Sequence, residues 1–434
     1  MAAHTPQLTA LRRFLKGEFF RHGFLVFTAM MIANLLSYAF RFLAARHVSV
    51  VEYGVLSSLF AFVNLFFAPA AILAIIVTKY SSEFTAVDDF GRLRTLKRWV
   101  SIGGTAVAVA IAGIVYLFRF AIAGYFGITD TGAVAATGLI VAVYFLLPNL
   151  WAILQGSQRF REFSLVIAID GFAKVSLGLL ALFAGYHVAG ALFAYAAGGM
   201  LAIAYVSFQL RTIGTSPEPV PIHLDARRLL QSMAGVAVST IAVTMMGSMD
   251  SVLVQHFFHS RIAGLYGAIT VCGKALLVMV GFLPAIVLPK AAALANQGES
   301  AQPILVQALG LALIISGSGL VLYRLNPGFV ITLMAGAKYG LGAPYVFKYG
   351  LAMVLLACIT IAANYRMGLH RFGYVVPLAG VALAELAVIQ IGAHGSIDQV
   401  IQTLIVGHAV ALVCVLLGTK DHGVASSRRR AGTD

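Results

Sequence analysis

Ionisable side chains occur inside long apolar stretches of this chain, and they are the first candidates for chemistry. A charge at the centre of a membrane-spanning helix costs about 2.5–3.5 kcal/mol on insertion scales, so such a residue is a functional candidate by default. Basic groups there would bind an anion, because Lys offers a point charge and Arg can bind two oxygens at once. Carboxylates there would bind a coupling ion or a proton. The candidate anion ligands are Arg41, Lys174 and Lys274, and the candidate coupling groups are Asp170, Asp250 and Glu385.

Pairing between these charges is the structural alternative. Asp170 and Lys174 are four residues apart, on one helix face, and can neutralise each other. Lys274 has no carboxylate three or four residues away on its own helix, so its partner is either on another span or a ligand. Asp250 or Glu385 could be the counter-ion of Lys274. Arg41 lies near the outer end of its span, from which its side chain could instead snorkel to the surface.

The sequence predicts neither a metal site nor a cofactor. His408 stands alone on an apolar helix and is interpreted as a hydrogen-bonded core histidine. No acid accompanies His256 and His259, so they are not expected to bind a metal. The closest approach to a phosphate loop, at Gly273-Lys274, has the wrong spacing and lies within an apolar span. We therefore expect an ion gradient or the membrane potential, rather than nucleotide hydrolysis, to supply energy.

The overall composition indicates the environment in which these residues work. Of the 434 residues, 60% are hydrophobic and 11% charged, and the mean hydropathy is +0.92. A soluble domain has about 45–50% apolar and roughly 25% charged residues. The composition therefore excludes a soluble enzyme and a nucleic-acid binder, and the net charge of +14 is expected in cytoplasmic loops.

Stretches of mostly apolar residues, each long enough for a spanning helix of about 20 residues, recur along the chain. They lie near 23–45, 54–78, 99–118, 133–155, 163–185, 188–210, 229–253, 262–288, 304–323, 346–367, 373–393 and 397–418. The sequence lacks the short alternating strands of a membrane barrel. It therefore predicts an all-α polytopic membrane protein with about twelve transmembrane helices. The stretch 324–345, interrupted by Gly and Pro, is expected to be an outward loop.

The spans divide the chain into lobes and connecting segments. In order, we expect a cytoplasmic N-terminal segment (1–22), an N-lobe (23–210), a cytoplasmic linker (211–228), a C-lobe (229–418) and a basic cytoplasmic tail (419–434). Apolar and basic residues alternate at helical spacing over 8–21, which predicts either an interfacial helix or a solvated start to the first span.

Lys and Arg residues set the orientation, because they accumulate in cytoplasmic loops. With the N-terminus inside, most of them fall in inner segments. The outer segments hold only Arg46, Arg119, Arg261, Arg324 and Lys338. Both termini are therefore expected to be cytoplasmic.

The two halves of the chain share landmarks. Tyr-Gly pairs that begin at Tyr53 and Tyr266 are 213 residues apart, and Gly-x-x-Arg-Phe motifs that begin at Gly156 and Gly368 are 212 apart. Because each half has an even number of spans, the halves are expected to be parallel repeats related by an axis along the membrane normal. We therefore expect two pseudo-symmetric six-helix lobes around a central cleft.

These motifs resemble those of the polysaccharide and oligosaccharide flippase family of the multidrug/oligosaccharidyl-lipid/polysaccharide exporter superfamily. The resemblance rests on a span followed by a short outward turn, the Tyr-Gly pair, a second span and a basic loop. It also includes the Gly-x-x-Arg-Phe turn and the second copy of that turn in the C-terminal half. It implies flipping of a polyprenyl-diphosphate-linked oligosaccharide across the cytoplasmic (inner) membrane for surface polysaccharide biosynthesis. The implied partners are the lipid-linked glycan and the bilayer, with other membrane proteins of polysaccharide assembly as further candidates and no nucleic acid.

Two other functions compete with this one. A membrane enzyme needs acid/base groups on a sizeable aqueous surface, whereas the longest outward loop, 324–345, contains no Asp, Glu or His; we therefore expect a protein that is not an enzyme. An ion-coupled multidrug or cation antiporter of the same superfamily should favour acidic groups in its cleft. The near-balance of central acidic and basic residues leaves that alternative open, and the resemblance favours the flippase. For either transporter, alternating access by rocking of the two lobes is the expected mechanism.

Overall fold

The computed structural model describes residues 18–213, 220–222, 226–258 and 260–417, and these segments are almost entirely helical. The expected interfacial segment lies almost wholly outside these residues, as do most of the 211–228 linker and the 419–434 tail. Helices dominate because a bilayer offers no partner for unpaired backbone groups. The described residues form two compact units, one within 1–229 and 255–268 and the other within 230–254 and 269–434.

The first unit contains the helices of the N-terminal half. They are α1 (Glu18–His47), α2 (Val50–Ala86), α3 (Phe90–Leu117), α4 (Arg119–Phe126), α5 (Thr131–Gly156), α6 (Phe160–Phe183) and α7 (His187–Leu210). The segment Gln255–Ala268 also belongs to it. The Gln255 side-chain amide donates to the Phe126 carbonyl of α4 at 3.1 Å, and the His256 ring stacks on Tyr125 with the centroids 3.9 Å apart.

The second unit contains the remaining helices. They are α8 (Ala226–Met246), α9 (Met249–Phe257), α10 (Ser260–Met279), α11 (Leu283–Asn296), α12 (Gln302–Leu325), α13 (Pro327–Met334), a 3₁₀ helix (Ala337–Gly342), α14 (Ala343–Gly368), α15 (Val375–Ile391) and α16 (Ile397–Leu417). The first residues of α8, the last of α9 and the first of α10 belong to the first unit.

Local sequence explains where several helices begin. The Ser49 hydroxyl accepts from the Glu52 N–H and the Glu52 carboxylate accepts from the Ser49 N–H, so a capping box begins α2. The carboxylates of Asp89 and Asp130 accept from backbone N–H groups at the starts of α3 and α5. Each side chain satisfies donors that a helix start leaves unpaired.

The predicted spans correspond to helices in the described part of the chain. Ten helices are long and apolar enough to cross a membrane. The predicted seventh span is the bent pair α8 and α9, which meet at 41°. The predicted eleventh span is α15, an apolar helix of 17 residues. The protein is an all-α, multi-pass membrane protein.

The stretch 324–345 differs from the expected loop. It contains the short apolar helix α13 and the 3₁₀ helix 337–342, which runs directly into α14. The Asn326 side chain caps α13 by accepting from the Phe329 N–H at 3.1 Å. Pro327 stands at the first helical position, where its missing N–H costs nothing. Gly and Pro therefore divide this stretch into short helices rather than keeping it irregular.

The helices α5 and α14 have the same place in their halves. Both are 26 residues long and their bounds are 212 residues apart. Most of their side chains are buried, so each is a core helix of its own unit. Their ends carry the two Gly-x-x-Arg-Phe motifs.

The backbone turns after α5 and α14 also agree. Gln158 and His370, at equivalent places in the two motifs, both have a left-handed conformation, with φ of 57° and 54°. The Arg159 N–H donates to Leu154 O at 2.9 Å, and the Arg371 N–H donates to Arg366 O at 3.0 Å. These bonds satisfy carbonyls that a helix end leaves unpaired.

The motif glycines lie where two helices approach closely. A Cβ built on Gly156 would lie 2.5 Å from the Thr78 carbonyl oxygen of α2, and one on Gly368 would lie 2.6 Å from the Leu288 carbonyl oxygen of α11. The two partner carbonyls are 210 residues apart. The shared motif therefore encodes the same helix contact in both halves of the chain.

Candidate functional site

A cavity of about 390 Å³ lies within the first unit, among α1, α2, α5, α6 and α7. Its lining residues are Met30, Ala33, Asn34, Ser37, Arg41, Phe60, Val63, Asn64, Phe67, Ile140, Tyr144, Trp151, Ile167, Asp170, Lys174 and Tyr195. Three of the sequence-predicted site residues are among them: Arg41, Asp170 and Lys174. The fold therefore brings together side chains that are far apart in the chain.

Asp170 and Lys174 form a buried ion pair in the wall of this cavity. Lys174 Nζ lies 2.8 Å from Asp170 Oδ2, and the Tyr144 hydroxyl donates to Asp170 Oδ1 at 2.6 Å. The Lys174 ammonium also lies 5.1 Å from the ring centroid of Tyr144 and 5.7 Å from that of Tyr195. The pairing expected from the i,i+4 spacing is present, and both groups still line the cavity.

Arg41 has a different environment in the same cavity. Its side chain is partly buried, and its guanidinium carbon lies 5.3 Å from the Phe60 ring centroid. Among the described residues, no carboxylate lies within ion-pair distance of it. Within the described part of the chain, no ion pair therefore neutralises the charge of Arg41.

Small residues position the ion pair. A Cβ on Gly198 of α7 would overlap the Lys174 backbone, and one on Gly171 would lie 3.1 Å from Ala33 of α1. These contacts hold α6 against its neighbours on two sides. They fix the height of Asp170 and Lys174 relative to Arg41 on α1.

The sequence interpretation missed the neutral polar and aromatic lining. Asn34 and Asn64 place amides in the cavity, while Tyr144 and Tyr195 place aromatic rings there. An amide inside an apolar span is a signal that could have identified Asn34 and Asn64, because burying it without a partner is costly. The aromatic residues gave no such signal, since the same residues are common in apolar cores.

The second unit holds its own buried acidic groups. Asp250 is 2% exposed, and the Tyr349 hydroxyl donates to its Oδ2 at 2.8 Å. Glu385 is 7% exposed and His408 is fully buried. Glu385 Oε2 lies 3.7 Å from His408 Nε2. As expected for a core histidine, the other ring nitrogen of His408 contacts a carbonyl, Ala352 O at 2.8 Å.

Glu385 also lines a cavity of about 620 Å³ between α15 and α16. A Cβ on Gly407 would lie 2.5 Å from Glu385 Oε2, so the absence of a side chain there makes room for the carboxylate. The polar residues Gln399, Gln402 and Thr403 line the same cavity.

Lys274 lies on α10 and is partly buried. It lines neither of these two cavities. The structure thus groups Arg41, Lys174 and Asp170 in the first unit, and it places Asp250, Glu385 and Lys274 in the second.

Comparison with solved structures identifies the fold. An inward-facing multidrug resistance MATE family transporter of the MOP superfamily matches with a TM-score of 0.69, at 12% identity, over 91% of this chain and 96% of that one. Lipid II flippase MurJ in an inward closed conformation matches with a TM-score of 0.68, at 14% identity, over 91% and 87%. The chain has the fold of MOP-superfamily transporters. An outward-facing MATE family transporter matches with a TM-score of 0.59, at 12% identity, over 93% and 95%.

Other comparisons add no closer relationship, since no protein-family model and no curated protein matches the chain. At 12–14% identity the likeness concerns the fold. The neighbours reported above are transporters and a flippase.

Proposed function

We propose that this protein flips a polyprenyl-diphosphate-linked oligosaccharide across the cytoplasmic membrane for surface polysaccharide biosynthesis. The observation that carries the proposal is the first-unit cavity, where Arg41 has no acidic partner among the described residues. Moving a diphosphate through hydrocarbon is the main barrier to flipping, because an unpaired charge there is costly. A guanidinium at membrane depth lowers that barrier by binding two phosphate oxygens.

The rest of the cavity lining fits a glycan headgroup. Amides of Asn34 and Asn64 can exchange hydrogen bonds with sugar hydroxyls. Aromatic faces such as those of Tyr195 and Trp151 offer apolar surface to a sugar ring. The lipid tail stays in the bilayer while the headgroup occupies the cavity.

The remaining predicted site residues complete the mechanism. Lys174, beside Asp170, supplies a second cation in the cavity wall, and Lys274 is proposed as a third anion ligand. Asp170, Asp250 and Glu385 are the proposed coupling groups, which bind an ion or a proton and reset the carrier. An ion gradient or the membrane potential drives alternating access, with both termini in the cytoplasm.

An ion-coupled multidrug or cation antiporter is the second candidate function. The observation that favours it is the Lys174–Asp170 pair, because pairing reduces the positive charge that the cavity presents. Phe67 and Trp151, which also line the cavity, would then bind an organic cation through their ring faces.

A flipping assay in proteoliposomes distinguishes the two functions. The purified protein is reconstituted with a fluorescent polyprenyl-diphosphate oligosaccharide, and a membrane-impermeant quencher reports how fast the protected pool is lost, with and without an ion gradient. We expect faster loss than in protein-free vesicles. Arg41→Gln should slow flipping by about ten- to a hundredfold, since a charge-assisted hydrogen bond contributes about 1.5–3 kcal/mol and each 1.36 kcal/mol corresponds to about tenfold in rate.

The matched control is Arg46→Gln, at the exposed end of the same helix. It should flip at the wild-type rate. Equal rates for wild type and Arg41→Gln would remove Arg41 from the site. No acceleration with several glycans, together with transport of a cationic dye in the same vesicles, would favour the antiporter.

A further inference from the structure

Glu385 and His408 present facing polar atoms that lack partners. Glu385 Oε2 and His408 Nε2 are buried and have no hydrogen-bond partner among the described residues. They lie 3.7 Å apart, which is too long for a hydrogen bond. Burying a polar group without a hydrogen-bond partner costs folding free energy. Two such atoms that face each other therefore require a physical explanation.

One proton would satisfy both atoms. Held on Nε2 it would be donated to the carboxylate, and held on the carboxyl it would be donated to Nε2, after a movement of less than 1 Å to about 2.9 Å. The Nδ1 position is already engaged with Ala352 O, so Nε2 is the ring atom that can take part.

A metal cation fits the pair poorly. Hard cations bind sets of oxygen ligands, as Ca²⁺ and Mg²⁺ do. Among the described residues, no group of three or more His, Cys, Asp or Glu side chains could hold a metal ion. The Glu385–His408 pair offers one carboxylate and one imidazole nitrogen rather than a set of oxygen ligands.

We propose that Glu385 and His408 together form the proton-binding site of this protein, shared between α15 and α16. The proton is therefore the coupling ion. The coupling role rests on the proposed transport function, whereas proton binding itself does not.

The surroundings of the pair give it both a neighbour and an access route. Asp250, bonded to the Tyr349 hydroxyl, is the titratable group near enough to interact electrostatically with both members. Other charges on the packed helices lie towards helix ends: Lys348 pairs with Asp398 at 2.5 Å, and Arg366 donates to Leu416 O at 2.7 Å. The cavity lined by Glu385 and by the polar side chains of Gln399, Gln402 and Thr403 reaches the pair at its Glu385 member.

Infrared difference spectroscopy tests the proposal without any transported substrate. The purified full-length protein is titrated with pH alone, and the C=O stretching band of a protonated carboxyl group in apolar surroundings is followed. Wild type should show such a band, Glu385→Gln should lose it, and His408→Gln should change its midpoint by about one pH unit or more. Adding NaCl should leave the wild-type band unchanged.

Two further variants make the result decisive. Glu83→Gln, at an exposed carboxylate of α2, is the matched control and should retain the wild-type band. Gly407→Ala should shift the band frequency, because its methyl group would displace the Glu385 carboxylate, and it provides the test if Glu385→Gln does not fold. An unchanged band in Glu385→Gln, or a midpoint indifferent to His408→Gln, would overturn the shared site. Loss of the wild-type band on adding NaCl would show that Na⁺, not the proton, is bound there.

Discussion

Lys174 and Asp170 form an ion pair one helical turn apart, with Nζ and Oδ2 separated by 2.8 Å in the wall of a cavity. The side chains of both residues are almost fully buried. In that setting the pair is a structural unit whose members each require the other, because a single buried charge is far more costly than a neutralised pair. A substitution of Lys174 is therefore expected to affect folding as well as the proposed binding of an anion.

Lys174→Ala is expected to lower the free energy of unfolding by about 3–5 kcal/mol, because it leaves the Asp170 carboxylate buried and unpaired. The double variant Asp170→Asn/Lys174→Gln should recover most of that loss, since both charges are removed together. Thermal unfolding of the detergent-solubilised protein measures both.

The matched control for this prediction is Lys79→Ala. Lys79 pairs with Glu83 at the same i,i+4 spacing, but about half of each side chain is exposed. The expected change is about 0–1 kcal/mol. A loss at Lys79 as large as that at Lys174 would show that burial does not set the cost.

The motif glycines are expected to be intolerant of even one methyl group. Gly156→Ala should lower the free energy of unfolding by about 1–3 kcal/mol, because the new Cβ would lie against the Thr78 carbonyl. Gly368→Ala should lower the free energy of unfolding by a similar amount, because its Cβ would lie against the Leu288 carbonyl. Gly113→Ala, in open space within α3, should instead stabilise the protein by about 0.5–1 kcal/mol. Equal effects at all three glycines would contradict the helix contacts.

The turn after α5 provides a conformational prediction. Gln158→Gly should leave stability unchanged or raise it by up to about 1 kcal/mol, because relief of about 1–2 kcal/mol at its left-handed backbone exceeds the entropy that Gly adds to the unfolded chain. Gln158→Val should destabilise. The control Gln155→Gly, in the last turn of α5, should cost about 0.5–1 kcal/mol. Chemical denaturation compares the three, and a loss at Gln158→Gly as large as that at Gln155→Gly would argue against backbone strain.

Sidedness is tested by labelling single cysteines in a background without Cys272, Cys358 and Cys414. Val87, in the turn between α2 and α3, and Leu341, in the 3₁₀ helix, are 70% and 77% exposed. With the N-terminus inside, an impermeant maleimide should label Val87→Cys only in inverted vesicles and Leu341→Cys only in intact cells. Labelling of both from the same side would contradict the assigned orientation.

The class of the protein and most of its helices follow from local patterns in the amino-acid sequence. Apolar stretches of spanning length are a strong local signal, because every backbone group in a bilayer must be paired within its own helix. Twelve such stretches correspond to the ten long helices, the bent pair α8 and α9, and the short α15. The Gly-x-x-Arg-Phe repeat also predicted equivalent positions, which the matching turns at Gln158 and His370 bear out.

Which charged side chains meet depends on how the helices pack together in the fold. The sequence could place Asp170 beside Lys174, since both lie on one helix face, but it gave no means of placing Arg41 of α1 in the same cavity. It also left His408 as an isolated core histidine, whereas α15 and α16 bring it to 3.7 Å from Glu385. Contacts within one helix follow from its 3.6-residue period. Contacts between helices depend on which faces pack together. In apolar spans nearly every face carries similar apolar residues, so the sequence does not indicate which faces meet.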